Sequence, residues 1–181
     1  MTIEMICAGF GGQGVLTIGK FIAQAAMQEG KNVSWLPSYG PEMRGGTANV
    51  STVVSTEPIA SPIVSFPDVL VALNQPSIDK FAPSMRSGGI LIYNTNMCPR
   101  GCNREDIIKI AVPMNDIATQ LGSMIVLNMV ATGVVIGKTD IIKYETLEGN
   151  LTSFMQEKNP DLLTKNLAAI KRGMDIAKQY N

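Results

Sequence analysis

Six residues near the start of the chain, Gly9-Phe-Gly-Gly-Gln-Gly14, place four glycines between two segments of different periodicity. The segment before them, Ile3 to Ala8, is a short, mostly apolar run of the kind that forms a buried strand. After them Val15, Ile18, Ile22 and Ala25 recur at helical spacing, with Leu16 and Phe21 alongside, and Glu29-Gly30 supplies a glycine C-cap. Asn32 to Leu36 reads as the next strand. Gly9, Gly11 and Gly14 fit the pattern G-x-G-x-x-G, with Gly12 as an additional glycine. In such a turn the first glycine permits a sharp change of direction. The second lets a phosphate approach the backbone, and the third lets the helix pack closely on the sheet. The free N–H groups of the helix N-terminus can then hold an anion. Strand, glycine turn, helix and strand predict a βαβ unit with a right-handed crossover.

The rest of the chain extends this pattern. Pro37 to Gly46 reads as a loop and Thr47 to Ser55 as a strand. Pro58, Pro62 and Pro67 punctuate an irregular stretch before a buried strand, Asp68 to Leu73, which ends at Asn74-Gln-Pro76. A short helix from Ser77 to Met85, a strand from Ile90 to Tyr93, a loop and a strand from Ile107 to Val112 follow. From Pro113 onward the pattern is mostly helical. Asn159 is placed to cap a final helix with Pro160 in its first turn, and Leu163, Leu167, Ile170, Met174 and Ala177 form its apolar face. Leu147, Leu151 and Phe154 give the preceding helix a similar face. No internal repeat or long linker interrupts residues 1–181. The expectation is one α/β domain: an open Rossmann-like sheet with helices on both faces and a helical C-terminal part.

Composition narrows the chemistry. The chain has no histidine, which excludes a Ser-His-Asp or Cys-His site and any His-ligated zinc or haem built from this chain alone. Three cysteines cannot complete a four-cysteine iron–sulfur or zinc site, so no metal ligands and no catalytic residues are assigned. Fifteen basic and fifteen acidic residues leave a formal net charge of zero, without the basic footprint of a nucleic-acid binder. The cysteine count and the N-terminal residues point to a reducing cytoplasm. The longest apolar run, Met124 to Ile136, is broken by Asn128, Thr132 and Gly133 and is shorter than the roughly 20 residues of a membrane span. Only 17% of residues are charged, against about 25% in an average soluble domain. The surplus apolar surface suggests burial against other chains, and leaves a homodimer of the isolated chain open.

Three segments are candidates for function. The glycine turn, Gly9, Gly11, Gly12, Gln13 and Gly14, is a candidate cofactor-binding element. A dinucleotide site would also need an acid about 20 residues further on, where Asn-Val-Ser-Trp-Leu-Pro-Ser stands instead, so NAD(P) is disfavoured. The second candidate is the loop Ser38-Tyr-Gly-Pro-Glu-Met-Arg-Gly-Gly46, which gathers a phenol, a carboxylate and a guanidinium among glycines. It reads equally as a functional loop or as a surface Arg–Glu pair. Cys98-Pro-Arg-Gly-Cys102 reads as a reduced, partly buried pair of thiols, and Cys7 as a core residue.

Taken together, Gly9-Phe-Gly-Gly-Gln-Gly-Val15 and Ser38-Tyr-Gly-Pro-Glu-Met-Arg-Gly-Gly-Thr47 resemble the gamma subunit of the 2-oxoacid:ferredoxin (acceptor) oxidoreductases. Pro67-Asp-Val-Leu-Val-Ala-Leu-Asn-Gln75 and Gly88-Gly-Ile-Leu-Ile-Tyr-Asn94 fit the same pattern, and the resemblance covers essentially the whole chain. The second motif looks most like the branch acting on 2-oxoglutarate, with the pyruvate and indolepyruvate branches open. The resemblance implies a complex that converts a 2-oxoacid and coenzyme A into acyl-CoA, carbon dioxide and a reduced ferredoxin or similar acceptor. Thiamine diphosphate, Mg and iron–sulfur clusters would reside on alpha, beta and delta-type partner subunits, with none bound by this chain alone. It implies an accessory role in which the glycine turn and the loop bearing Ser38, Tyr39, Glu42, Arg44, Gly45 and Gly46, together with Asn74, lie at the C-terminal edge of the sheet. There they would either wall the approach of coenzyme A and 2-oxoacid or dock on partner subunits. Arg44 would bind a carboxylate or phosphate, or be held by Glu42. A stand-alone Rossmann-type nucleotide-binding module is the alternative from a different class.

Overall fold

The structure, a computed structural model, describes residues 1–39 and 47–180. Among the described residues, six strands form one sheet: β1 (Thr2–Phe10), β2 (Asn32–Tyr39), β3 (Thr47–Ser55), β4 (Val69–Ala72), β5 (Ile90–Asn94) and β6 (Ile108–Val112). Their spatial order is β2-β3-β1-β4-β5-β6. β1, β4, β5 and β6 are parallel, whereas β3 runs antiparallel to both β1 and β2. The expected strand–helix–strand opening is present, with β1 and β2 running the same way, but β3 lies between them. Pro37 accounts for this. It has no N–H for a second neighbour, so a strand that carries it belongs at the edge of a sheet. β3, rich in Val and Thr and buried at Val50, Thr52, Val53 and Val54, takes the inner place.

Helices α1 (Val15–Gln28), α3 (Met114–Gln120), α4 (Leu127–Thr139), α5 (Tyr144–Met155) and α6 (Pro160–Ala177) cover one face. The apolar side chains of that face, including Met5, Cys7, Val50, Val71, Ile92 and Ile110, meet them in one continuous core. The opposite face carries Ile6, Ala8, Val53, Leu70 and Leu91. Its cover is thinner: α2 (Gln75–Phe81), a 3-10 turn at Ala82–Ser84, and loops containing Val64, Cys98 and Ile107. Helices thus lie on both faces, unevenly.

Every residue of α4 from Leu127 to Ile136 is buried. A helix apolar all round needs neighbours on all sides, and glycines bring one of them very close. A Cβ on Gly133 would stand 2.1 Å from the Ile170 carbonyl oxygen, and one on Gly173 would stand 2.2 Å from that of Val130. On α5 the expected face is only partly used: Leu147 and Leu151 are fully buried, whereas Phe154 is 58% exposed with Lys158 over its ring. Phe154 lies close to the end of α5 at Met155, so no further turn follows it to complete a buried face.

Candidate functional site at the sheet edge

α1 leaves the end of β1 and packs on the thick face, whereas α2 leaves the end of β4 and packs on the thin one. The chain therefore reverses its winding between β1 and β4. In open α/β sheets the crevice beyond the carboxyl ends of two such strands is the usual place for a ligand. Here it is bounded by Gly9–Gly14 on one side and Leu73–Asn74 on the other.

The glycines have separable reasons. Gly12 (φ +94°) and Gly14 (φ +74°) adopt left-handed backbone conformations that side chains disfavour. Gly9 instead lies within β1, and a Cβ there would come within 2.6 Å of Gln13 Oε1, 2.9 Å of Val15 and 3.0 Å of Leu73. It is needed for room, and the sharp turn expected of it falls further along. A Cβ on Gly14 would reach Asn128 Nδ2 at 2.5 Å, so this glycine admits the start of α4. Gln13 is fully engaged with its surroundings: its Oε1 accepts from the Phe10 N–H at 2.7 Å and its Nε2 donates to the Leu73 carbonyl at 3.4 Å.

Asparagines gather along the same edge. Asn74, 1% exposed, caps α2 by accepting from the Ser77 N–H and hydroxyl. Asn94, at the end of β5, donates to Asn115 and accepts from the Asn96 and Met114 N–H groups. Among the described residues, the Nδ2 of Asn74 and the Oδ1 of Asn128 are buried without a hydrogen-bond partner. Unpaired buried polar atoms are costly, so a water, ligand or partner group at this edge would be stabilised by them. The N-terminal turn of α1 adds amide donors with no partner inside the helix and has no acidic residue to occupy them. The edge is therefore chemically suited to an anion with further hydrogen-bonding groups.

Phe10 pairs with Thr47, which puts that end of the Ser38–Thr47 segment beside the glycine turn, and Tyr39 pairs with Ala48 one strand further out. β2 continues to Tyr39, which places Ser38 and Tyr39 in a strand and not in the expected loop. Glu42, Arg44, Gly45 and Gly46 lie outside the described residues. The interposed β3 also bears on dinucleotide binding. It moves the end of β2, where a ribose-holding acid would stand, about 10 Å from β1.

The structure brings together the glycine turn, Asn74 and the Thr47 end of the second motif. It adds Asn94, Asn115 and Asn128, which the sequence reading did not select. The available signal was positional: Asn94 directly follows an apolar strand, and Asn128 is a lone amide in an apolar helical run. On the thin face, Ile78, Asp79, Pro83, Arg100 and Arg104 line a separate open cavity of about 590 Å³. Cys98 is buried and Cys102 half-buried, both as free thiols, and burial pushes the Cys98 thiol up to about 12. Cys7 is fully buried in β1. Among the described residues, no three His, Cys, Asp or Glu side chains converge to hold a metal ion.

The comparisons with known proteins agree with one another. The family model described as pyruvate ferredoxin/flavodoxin oxidoreductase matches residues 4–176. The ketoisovalerate oxidoreductase subunit VorA of Methanothermobacter marburgensis is 40% identical over 177 residues, covering 98% of this chain and 37% of VorA. The 2-oxoglutarate synthase subunit KorC of Methanocaldococcus jannaschii is 32% identical over 182 residues, covering 99% of this chain and 96% of KorC. A solved 2-oxoglutarate:ferredoxin oxidoreductase from Magnetococcus marinus, with 2-oxoglutarate, coenzyme A and succinyl-CoA bound, aligns with a TM-score of 0.91 at 26% identity. That alignment covers 99% of this chain and 32% of the other. The chain thus spans about a third of the length of VorA and of the Magnetococcus chain, and nearly all of KorC. With its six-stranded sheet, its glycine turn and a match running from β1 to α6, the chain belongs to the pyruvate ferredoxin/flavodoxin oxidoreductase family.

Proposed function

We propose that the chain is the gamma-type subunit of a 2-oxoacid:ferredoxin oxidoreductase, an enzyme that converts a 2-oxoacid and coenzyme A into acyl-CoA and carbon dioxide while reducing a ferredoxin-like acceptor. The observation that carries this reading is the family match across residues 4–176, joined to a near-equal length with KorC. Thiamine diphosphate with its Mg ion and the iron–sulfur clusters supply the decarboxylation and electron transfer in such a complex. We assign these groups to alpha, beta and delta-type partners; among the described residues no three metal-ligating side chains converge. The compartment proposed is the cytoplasm, and no helix among the described residues is long and apolar enough to cross a membrane.

The role assigned to this chain is positional. The crevice between β1 and β4 would face the partner subunits and form part of the wall along which coenzyme A and the 2-oxoacid approach. The α1 N-terminus and the Asn74 Nδ2 donor suit a phosphate-bearing ligand such as coenzyme A, and the Asn128 Oδ1 acceptor suits an N–H or O–H of the same ligand. The substrate proposed is 2-oxoglutarate, in keeping with KorC. The 40% identity to VorA supports a second reading, a branched 2-oxoacid.

Affinity purification of the tagged chain from its native cells tests the proposal. The expected eluate contains the partner subunits and reduces viologen only when both a 2-oxoacid and coenzyme A are present. The best oxoacid in a panel of 2-oxoglutarate, pyruvate, 2-oxoisovalerate and indolepyruvate then names the branch. A lone chain without activity would return weight to a stand-alone nucleotide-binding module.

A further inference from the structure

The ladder between β1 and β4 does not simply stop at the crevice. Ala8 pairs with Ala72, and beyond the last paired residue the Leu73 N–H donates to the Ala8 carbonyl at 2.9 Å. In a parallel ladder a residue that donates to position j−1 of its neighbour accepts from position j+1. The next rung would therefore run from the Phe10 N–H to the Leu73 carbonyl. Both of those groups are taken by one side chain. Gln13 Oε1 accepts from the Phe10 N–H at 2.7 Å, and Gln13 Nε2 donates to the Leu73 carbonyl at 3.4 Å. A carboxamide has the donor and acceptor of a peptide group, so it can stand between two strands as a peptide would. The Gln13 N–H also donates to the Phe10 carbonyl at 3.2 Å, which closes the turn that aims the side chain back into the ladder. Gly9 leaves the space that its Oε1 needs.

We propose that Gln13 is a positioning residue whose carboxamide, inserted as a wedge between the ends of β1 and β4, holds the crevice open and fixes the turn that presents the N-terminus of α1. In the NAD(P)-type reading the glycine turn exists for a bound pyrophosphate. Here two of its glycines make room for the protein's own amides, Gln13 and Asn128. The functional readout of the wedge rests on the coenzyme A role proposed above, whereas its structural readout does not.

Two variants test it. Gln13→Ala removes the wedge and frees the missing rung to form; Gln13→Glu keeps one of its two hydrogen bonds. In a crystal structure of the Gln13→Ala chain, Phe10 N and Leu73 O are expected to close to about 3 Å. In the assembled complex, Gln13→Ala is expected to raise KM for coenzyme A about tenfold, the scale of one or two lost hydrogen bonds, with a smaller effect on kcat. Gln13→Glu, which retains the acceptor for Phe10, is expected to fall between Gln13→Ala and the unaltered chain. Strands that stay apart in Gln13→Ala, or an unchanged KM for coenzyme A in an active complex, overturn the proposal. A complex with the unaltered chain that shows no coenzyme A dependence overturns the functional reading instead, and the Phe10–Leu73 separation then decides the wedge alone.

Discussion

The two faces of the sheet are held by different physics. On the thick face, α4 is buried from Leu127 to Ile136 and meets α6 at Gly133 and Gly173, backbone against backbone. Dispersion and apolar burial dominate there, and such packing tolerates little change in volume. On the thin face, one short helix and several loops are tied down by polar side chains that reach backbone groups. Gln75 accepts from the Arg100 N–H and donates to the Gly101 carbonyl and to Asp79. Arg104 donates to the Ala82 and Met85 carbonyls and pairs with Asp106, whose carboxyl its guanidinium holds down at about 2. Arg86 joins Glu4 of β1 to the loop after α2. One face is rigid because nothing fits between its helices; the other is ordered bond by bond. The crevice lies where the two regimes meet, bounded by α1 and α4 from one and Asn74 from the other.

This contrast can be broken most severely at the helix contact. Gly133→Leu drives a side chain into the Ile170 backbone and should cost about 4 kcal/mol or more, enough to abolish folding in a marginal domain. Circular dichroism and denaturant titration would show it, and Gly149→Leu, where a Cβ would meet nothing, is the control. Leu147→Ala, fully buried on the same face, should cost about 3 kcal/mol through a cavity. Gln75→Leu on the thin face should cost less, about 1–2 kcal/mol, and act locally. Hydrogen exchange should speed up around residues 98–104 while α4 stays protected.

The cysteines sharpen the comparison with the smallest effect. Native chain should react with a thiol reagent first at half-buried Cys102. Cys98 should follow through local opening of the thin face, and Cys7 should react only on global unfolding. Burial raises both the Cys7 and the Cys98 thiols above their ordinary value of 9.0. The folded chain therefore keeps protons that the unfolded chain loses. Stability is unaffected below pH 9.0 and falls as pH rises through 9.0 toward about 12. The double variant Cys7→Ala, Cys98→Ala should flatten that alkaline decline.

The two regimes also differed in how far they could be read in advance. Apolar periodicity placed α1, α6 and the four parallel strands, since the pattern and the burial have the same cause. Strand order was harder. Only Pro37 hinted that β2 must lie at an edge, and a proline in a loop reads the same way. The thin-face tethers were hidden because Gln75 and Arg104 bond to backbone atoms, which carry no side-chain signature. At the site, G-x-G-x-x-G marked the turn, but not that Gly9 and Gly14 serve Gln13 and Asn128. The first contact is made by the fold of the turn itself, and the second joins residues far apart in the chain, so that only the packing of α4 on the turn creates it.

The role proposed for this chain is to complete an oxoacid-oxidising complex through its sheet edge. The most direct measurement is to titrate the purified chain into the remaining subunits prepared without it, following viologen reduction dependent on both 2-oxoacid and coenzyme A. Activity is expected to rise with added chain and to saturate at one chain per missing position. Activity that is full without the chain, or that stays absent at saturation, would contradict it.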